Sequence, residues 1–283
     1  MNPSSFDWST VDLTFGATEL DENQRWSTWP DIGVTQGPPP QPAWVVQHEA
    51  ARDTELGVLK TGKEADAHLI ERALVPAERT GAVGEWSMLV AKRYRSHDHR
   101  SFGGFDTYLA GVRTRNTREG RAKRKGTDLG REVAVVEWAR REFDLLSTFW
   151  SAGLPVPYPV QVTGTELLME FIGDAPAQQA APRLVQTSPD PAELADLAGQ
   201  ARRVVVRLAE LGWVHGDLSP YNTLVHEGRL VVIDVPQAVE LVVHPQAHEW
   251  LLRDCTNLCD WFTRRGHTED PQEWFAEAVS SAW

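Results

Sequence analysis

From Thr54 onward the apolar positions come in short runs rather than at helical spacing. TELGVLK, ADAHLIERALV and EWSMLVAKRY are three β-prone segments, with glycines at 62, 81 and 84 between them. That pattern predicts an antiparallel meander. The period then lengthens: Val135, Ala139, Glu142, Leu146 and Phe149 recur at the spacing of a helix, and Gly153 with Pro155 supplies the stop. Glu142 therefore shares a face with apolar residues. YPVQVTG and TELLMEFIG predict two further strands, the second ending at Gly173 in a connection between lobes, and the Ala/Pro-rich stretch 175–191 reads as a link.

The remainder reads as helical. Asp190-Pro191-Ala192-Glu193 offers an N-cap, a first-turn proline and a capping-box acid for a helix that runs to Gly212. WVHGDLSPYNTLVHEGRLVVIDV then predicts a polar loop followed by two short strands, TLVH and RLVVID, joined at Glu227-Gly228. Helices over roughly 246–265 and from Asp270 onward complete the chain. The expected class is α+β. Its expected divisions are an acidic, tryptophan-bearing N-terminal extension over 1–49, a strand-rich lobe over 50–171 and a helical lobe over 172–283.

The extension carries Asp7, Asp12, Glu19, Asp21, Glu22 and Asp31 against Arg25 alone before it enters GPPPQP, whose prolines sustain neither a helix nor a central strand. Trp8, Trp26 and Trp29 are unusual in a free tail, and contact with the body or a partner is the alternative.

Composition narrows the classes. With 41% hydrophobic and 24% charged residues in 283, the chain can build a sizeable core, which excludes collagen, low-complexity polymer and disulfide scaffold. A net charge of −12 argues against general adhesion to nucleic acid or anionic membrane. The local exception is RTRNTREGRAKRKGTDLGR over 113–131, which reads as a solvated loop or as a contact for phosphate or RNA. Cys255 and Cys259 read as small core residues. No apolar run is long enough to span a membrane and the start lacks the order of a secretion signal, so the expected location is cytoplasmic.

The chemistry concentrates in His215-Gly216-Asp217-Leu218-Ser219-Pro220-Tyr221-Asn222, with Asp234 following at the end of a hydrophobic strand. Two carboxylates and an amide there suit magnesium, or manganese in its place, because such ions take oxygen ligands and bridge nucleotide phosphates. Phosphoryl transfer also needs a group to receive the acceptor's proton, a lysine on the phosphates and an acid to hold that lysine. Asp217 would take the first role, Lys92 the second and Glu142 the third, with Asn222 and Asp234 as metal ligands. Their order along the chain is that of a protein kinase.

On these residues the chain resembles the RIO family of atypical serine/threonine protein kinases, nearer its first branch than its second. Thr61-Gly62-Lys63-Glu64-Ala65 is similar to the family's phosphate-covering S-T-G-K-E-A loop, with Lys60 in place of the serine. Leu168-Met169-Glu170-Phe171-Ile172-Gly173 resembles its hinge, HGDLSPYN its catalytic loop and Ile233-Asp234-Val235-Pro236-Gln237-Ala238-Val239-Glu240 its metal loop. The match continues through Leu252-Arg253-Asp254-Cys255-Thr256-Asn257.

The resemblance implies a bilobal kinase-like fold with an antiparallel-sheet N-lobe plus one helix, and a reduced helical C-lobe without an activation segment. It implies ATP held by Thr61, Gly62, Lys63, Glu64, Lys92, Met169, Glu170 and Ile172, a protein acceptor not yet identified, Asp234 as an acceptor of phosphate itself, and RNA or a ribosomal particle as a partner for the basic 113–131 stretch. Two other readings share the H-G-D motif or the basic stretch: a small-molecule phosphotransferase of the aminoglycoside or choline kinase kind, and a nucleotide-dependent RNA- or protein-binding switch.

Overall fold

A computed structural model describes residues 20–31, 35–95 and 128–282. The first lobe is built on a six-stranded, wholly antiparallel sheet. Its strands are β1 (Gln24–Trp26), β2 (Ala51–Thr61), β3 (Ala65–Leu74), β4 (Trp86–Tyr94), β5 (Pro159–Thr163) and β6 (Glu166–Glu170), in the order β1-β2-β3-β4-β6-β5. The meander β2-β3-β4 is the one the short apolar runs predict. β6 then enters beside β4, in a register that sets Lys92 between Ala67 of β3 and Leu167 of β6.

Helix α1 (Asp128–Ser151) packs across this sheet, and Val135, Ala139, Glu142, Leu146 and Phe149 are all buried on it. It starts earlier than the apolar spacing alone indicates. Positions 128–131, assigned from sequence to the basic loop, are its first residues. The rest of that loop lies outside the described residues.

The acidic N-terminal stretch is joined to the sheet where it is described. β1 pairs with β2, Trp29 is buried with Ile70, Leu89 and Tyr158, and Gly37 N–H donates to the Val160 carbonyl at 2.8 Å. A Cβ on Gly37 would sit 2.0 Å from the Pro159 oxygen, so only glycine permits this approach. Arg25 closes the contact with ion pairs to Asp53 and Glu166. Trp26 stays exposed beneath the Arg52 guanidinium, and Trp8 lies outside the described residues.

The link over 175–191 has more structure than its composition suggests. A short hairpin of β7 (Gly173–Asp174) and β8 (Gln179–Ala180) is followed by a 3-10 turn at Leu184–Gln186. Its backbone hydrogen bonds are satisfied by distant partners, Val185 N–H to Pro220 and Val225 N–H to Pro182, which local propensity does not announce.

The second lobe contains α2 (Pro191–Glu210), β9 (Trp213–Val214), the hairpin β10 (Thr223–His226) and β11 (Arg229–Val232), β12 (Val239–Glu240), α3 (Ala247–Thr263) and α4 (Pro271–Ser281). Asp190 accepts from Ala192 N–H and Glu193 N–H while Glu193 accepts from Asp190 N–H, which is the expected capping box. β9 pairs with β12, and the loop 215–222 follows directly from β9. The main core cluster runs through both lobes: Tyr94, Leu167 and Met169 from the sheet join Leu146 and Phe149 of α1 and Leu258 and Phe262 of α3. Cys255 and Cys259 are buried in it as free thiols. Among the described residues no helix is long and apolar enough to cross a membrane.

Candidate active site

Alternation along β4 sends Lys92 toward α1, where Glu142 waits on the buried face of the helix. Lys92 Nζ donates to Glu142 Oε1 at 2.8 Å and to Asp234 Oδ1 at 2.8 Å. The three side chains differ in access: Glu142 is 2% exposed, Lys92 19% and Asp234 44%. Tyr94, two residues along the same strand face, donates its hydroxyl to the other Glu142 oxygen and sets its ring 5.3 Å from Lys92 Nζ.

Burial opposes the Lys92 ammonium, but Asp234 and Glu142 outweigh it and hold its pKa well above the ordinary lysine value. Burial raises Glu142 against the pull of Lys92, whereas Lys92 lowers Asp234 against the cost of burying it. Asp234 is thus ionised at neutral pH. Its φ of +65° lies in the left-handed region, at a cost of about 1–2 kcal/mol for a residue with a Cβ. The Lys92 ion pair and the Ile233 N–H bond to the Asn222 carbonyl at 3.0 Å flank this conformation.

The loop 215–222 is held from below by α3. Asp254 is buried and accepts from Gly216 N–H at 2.8 Å and Leu218 N–H at 2.9 Å, Arg253 donates to the Gly216 carbonyl, and Asn257 to that of Leu218 at 3.2 Å. Burial pushes the Asp254 carboxyl up to about 7 against those two N–H bonds. Gly216 has φ +80°, and a Cβ there would lie 3.1 Å from the Gln237 carbonyl and from the Trp250 ring. His215 is buried with its Nε2 3.3 Å from the Ile233 carbonyl, and burial lowers its pKa to about 4, so it is neutral.

Asn222 Nδ2 donates to the Asp217 carbonyl at 2.9 Å and to Asp217 Oδ2 at 2.8 Å. These bonds orient Asp217 and leave the Asn222 amide oxygen for another partner. Burial raises the Asp217 pKa, the Asn222 bond opposes this, and Asp234 adds to it.

Between the lobes opens a cavity of about 570 Å³. Gly62, Lys63 and Glu64 line it from the turn between β2 and β3, where Gly62 N–H bonds the Ala65 carbonyl at 3.0 Å. Thr61 is not among the lining residues. Lys92, Glu142, Asp217 and Asp234 line one part, and Met169, Glu170 and Ile172 another. At this second part Glu170 N–H is committed to the Tyr158 carbonyl at 2.9 Å and the Ile172 carbonyl to Ala181 N–H at 2.9 Å. The Ile172 N–H makes no hydrogen bond among the described residues.

Donor chemistry permits a magnesium ion here. No group of three or more His, Cys, Asp or Glu side chains suited to a metal occurs among the described residues. A carboxylate at Asp234 and an amide oxygen at Asn222 are instead the sparse oxygen set of an ion shared with phosphates.

Sequence reasoning assigned no role to Tyr94 or Asp254 and left Arg183 in the link, although Arg183 lines the cavity. Tyr94 was accessible through the period of two from Lys92. Asp254 falls in the stretch Leu252–Asn257 that continues the resemblance, but its role is not legible locally because its partners lie 36 and 38 residues away.

The antiparallel sheet, a helix carrying an acid to the strand lysine, and the helical lobe behind a polar loop define a bilobal protein-kinase-like fold. A sequence model of the RIO domain matches residues 91–274, and the chain belongs to that family. Among its relatives, the RIO-type serine/threonine-protein kinase Rio1 of Haloferax volcanii is 35% identical over 216 residues, 76% of this chain and 65% of that protein. The serine/threonine-protein kinase RIO1 of Chaetomium thermophilum is 33% identical over 218 residues, 74% of this chain and 39% of that protein. The chain thus spans less than two thirds of the length of either. The solved structure of the Rio2 kinase–ADP/Mg2+–phosphoaspartate complex from Chaetomium thermophilum has the same fold, with a TM-score of 0.55 and 21% identity over 80% of this chain and 62% of that one.

Proposed function

We propose that this chain is an ATP- and magnesium-dependent atypical serine/threonine protein kinase or ATPase of RIO type, working in the cleft between its lobes. The observation that carries the reading is the single ammonium of Lys92 shared between Glu142 and Asp234 within the cavity that Asp217 also lines. The adenine fits the end where Met169 forms a wall and the Ile172 N–H stands ready as a donor. The phosphates fit the other end, under the backbone of Gly62 with Lys63, and against Lys92. Asn222 and Asp234 would hold magnesium, which would supply charge neutralisation to the polyphosphate.

Asp217 takes up the proton of an acceptor hydroxyl as that oxygen bonds to the γ-phosphorus and ADP departs. Its raised pKa favours this proton transfer, and Asn222 keeps the carboxylate aimed. The acceptor is a protein hydroxyl, the enzyme itself or water. Asp234 is the candidate site of self-phosphorylation: its oxygen bonds the γ-phosphorus, the bond to the β–γ bridging oxygen breaks, and no proton has to be removed from an ionised carboxylate. The similar Rio2 complex is a phosphoaspartate complex, which supports this reading.

The test is incubation with γ-labelled ATP and magnesium, alongside Asp217→Ala and Asp234→Ala, following label into free phosphate, the protein, and added aminoglycoside or choline. Label on protein or in phosphate that both variants lose is the expected result. Rapid transfer to the small alcohol would move the chain to the small-molecule kinases. Hydroxylamine-sensitive label that survives in Asp234→Ala would remove the aspartyl phosphate.

A further inference from the structure

Lys60 stands near the end of β2, lines the cavity and is exposed to it. Arg183 lines the same cavity from the link after β8. Neither side chain makes a hydrogen bond or an ion pair among the described residues. Three other nearby cations are held by protein groups, Lys92 by two carboxylates, Arg141 by the Pro236 carbonyl at 2.8 Å and Arg253 by that of Gly216, while Lys63 lines the cavity from the turn. Burial, then Arg183, disfavour the Lys60 charge, with Lys92 adding to them and Asp234 opposing. Two cations that repel within one cavity, neither of them paired with a carboxylate, carry an electrostatic cost that a bound anion would remove.

We infer that Lys60 and Arg183 form a two-sided anion clamp on the phosphate tail of the bound nucleotide, one jaw from each lobe, so that affinity follows the number of phosphates. The inference rests on the nucleotide-binding reading above. Lys60 adjoins the turn whose Gly62, Lys63 and Glu64 line the cavity, which places it at the phosphate end rather than the hinge end. In the loop that Thr61-Gly62-Lys63-Glu64-Ala65 continues, the clamp replaces a neutral hydroxyl contact with a charged one.

Calorimetric titration of the full chain with ATP, ADP and adenosine, in wild type, Lys60→Met, Arg183→Met and Lys60→Arg, tests this. ATP affinity should fall about tenfold in each methionine variant. ADP should lose less, adenosine should bind unchanged, and Lys60→Arg should recover most of the loss. Unchanged ATP binding in both methionine variants would overturn the clamp, as would equal weakening of ATP and adenosine, the sign of a merely structural role. Wild type that binds neither ATP nor adenosine would overturn the nucleotide reading and the clamp together, whereas wild type that binds ATP while the variants match it removes the clamp alone.

Discussion

Lys92→Met keeps the reach of the side chain and deletes the ammonium that two carboxylates share. Glu142, 2% exposed, would be left as a buried charge whose remaining partner is the Tyr94 hydroxyl. Removing one member of such a pair costs about 3–5 kcal/mol, because the survivor stays desolvated and uncompensated. Glu142 can escape the cost by taking a proton. Burial already raises its pKa, and Lys92 is the first influence holding it down, so the variant's carboxyl rises further.

A raised folded-state pKa stabilises the fold fully below the unfolded value, and that stability is lost as pH rises through the folded one. The deficit of Lys92→Met should therefore be small near pH 5 and reach about 3 kcal/mol at pH 8. Adding Glu142→Gln removes the stranded charge, and the double variant should regain most of the loss at pH 8. Urea unfolding of the four proteins at both pH values reads this as a cycle. A deficit equal at pH 5 and pH 8, or a double variant as unstable as the sum of the singles, would refute the account.

Three further outcomes are expected. His215 has a depressed pKa of about 4, so its neutral burial contributes stability above pH 6.5 that disappears as pH falls toward 4; between pH 7 and 4.5 wild type should lose about 2 kcal/mol more than His215→Gln in denaturant unfolding. Asp254→Ala orphans the N–H groups of Gly216 and Leu218 and should cost at least about 2 kcal/mol while lowering kcat, read by thermal unfolding and phosphate release; full stability would show that α3 does not anchor the loop. Trp29→Ala should cost about 3–5 kcal/mol by emptying its site against Ile70 and Leu89, and a loss below 1 kcal/mol would mean that the N-terminal segment is not part of the folded unit.

The residues that anchor the site reading, Lys92, Glu142, Asp217, Asn222 and Asp234, were readable as a set because their chemistry and order are properties of the chain. Strands β2 to β6 and helices α1 to α4 were also readable, since alternation, helical spacing and capping act over a few residues; the Asp190–Glu193 box is complete within four positions. Their convergence was not readable. Lys92 meets Asp234 across 142 positions, a pairing that depends on α1 and the sheet closing over one core.

Tertiary structure alone decided the rest. A three-residue strand in an acidic stretch, β1, has no pattern of its own and exists because β2 offers an edge and Glu166 and Asp53 receive Arg25. Asp254 became a loop anchor only when α3 packed beneath the loop 215–222, and Lys60 and Arg183 came to line one cavity only when the lobes were brought together. Local sequence determines which conformations each segment favours and which reactive groups it carries. Desolvation and long-range pairing, which set the charge and access of those groups, arise only once distant segments share an interior.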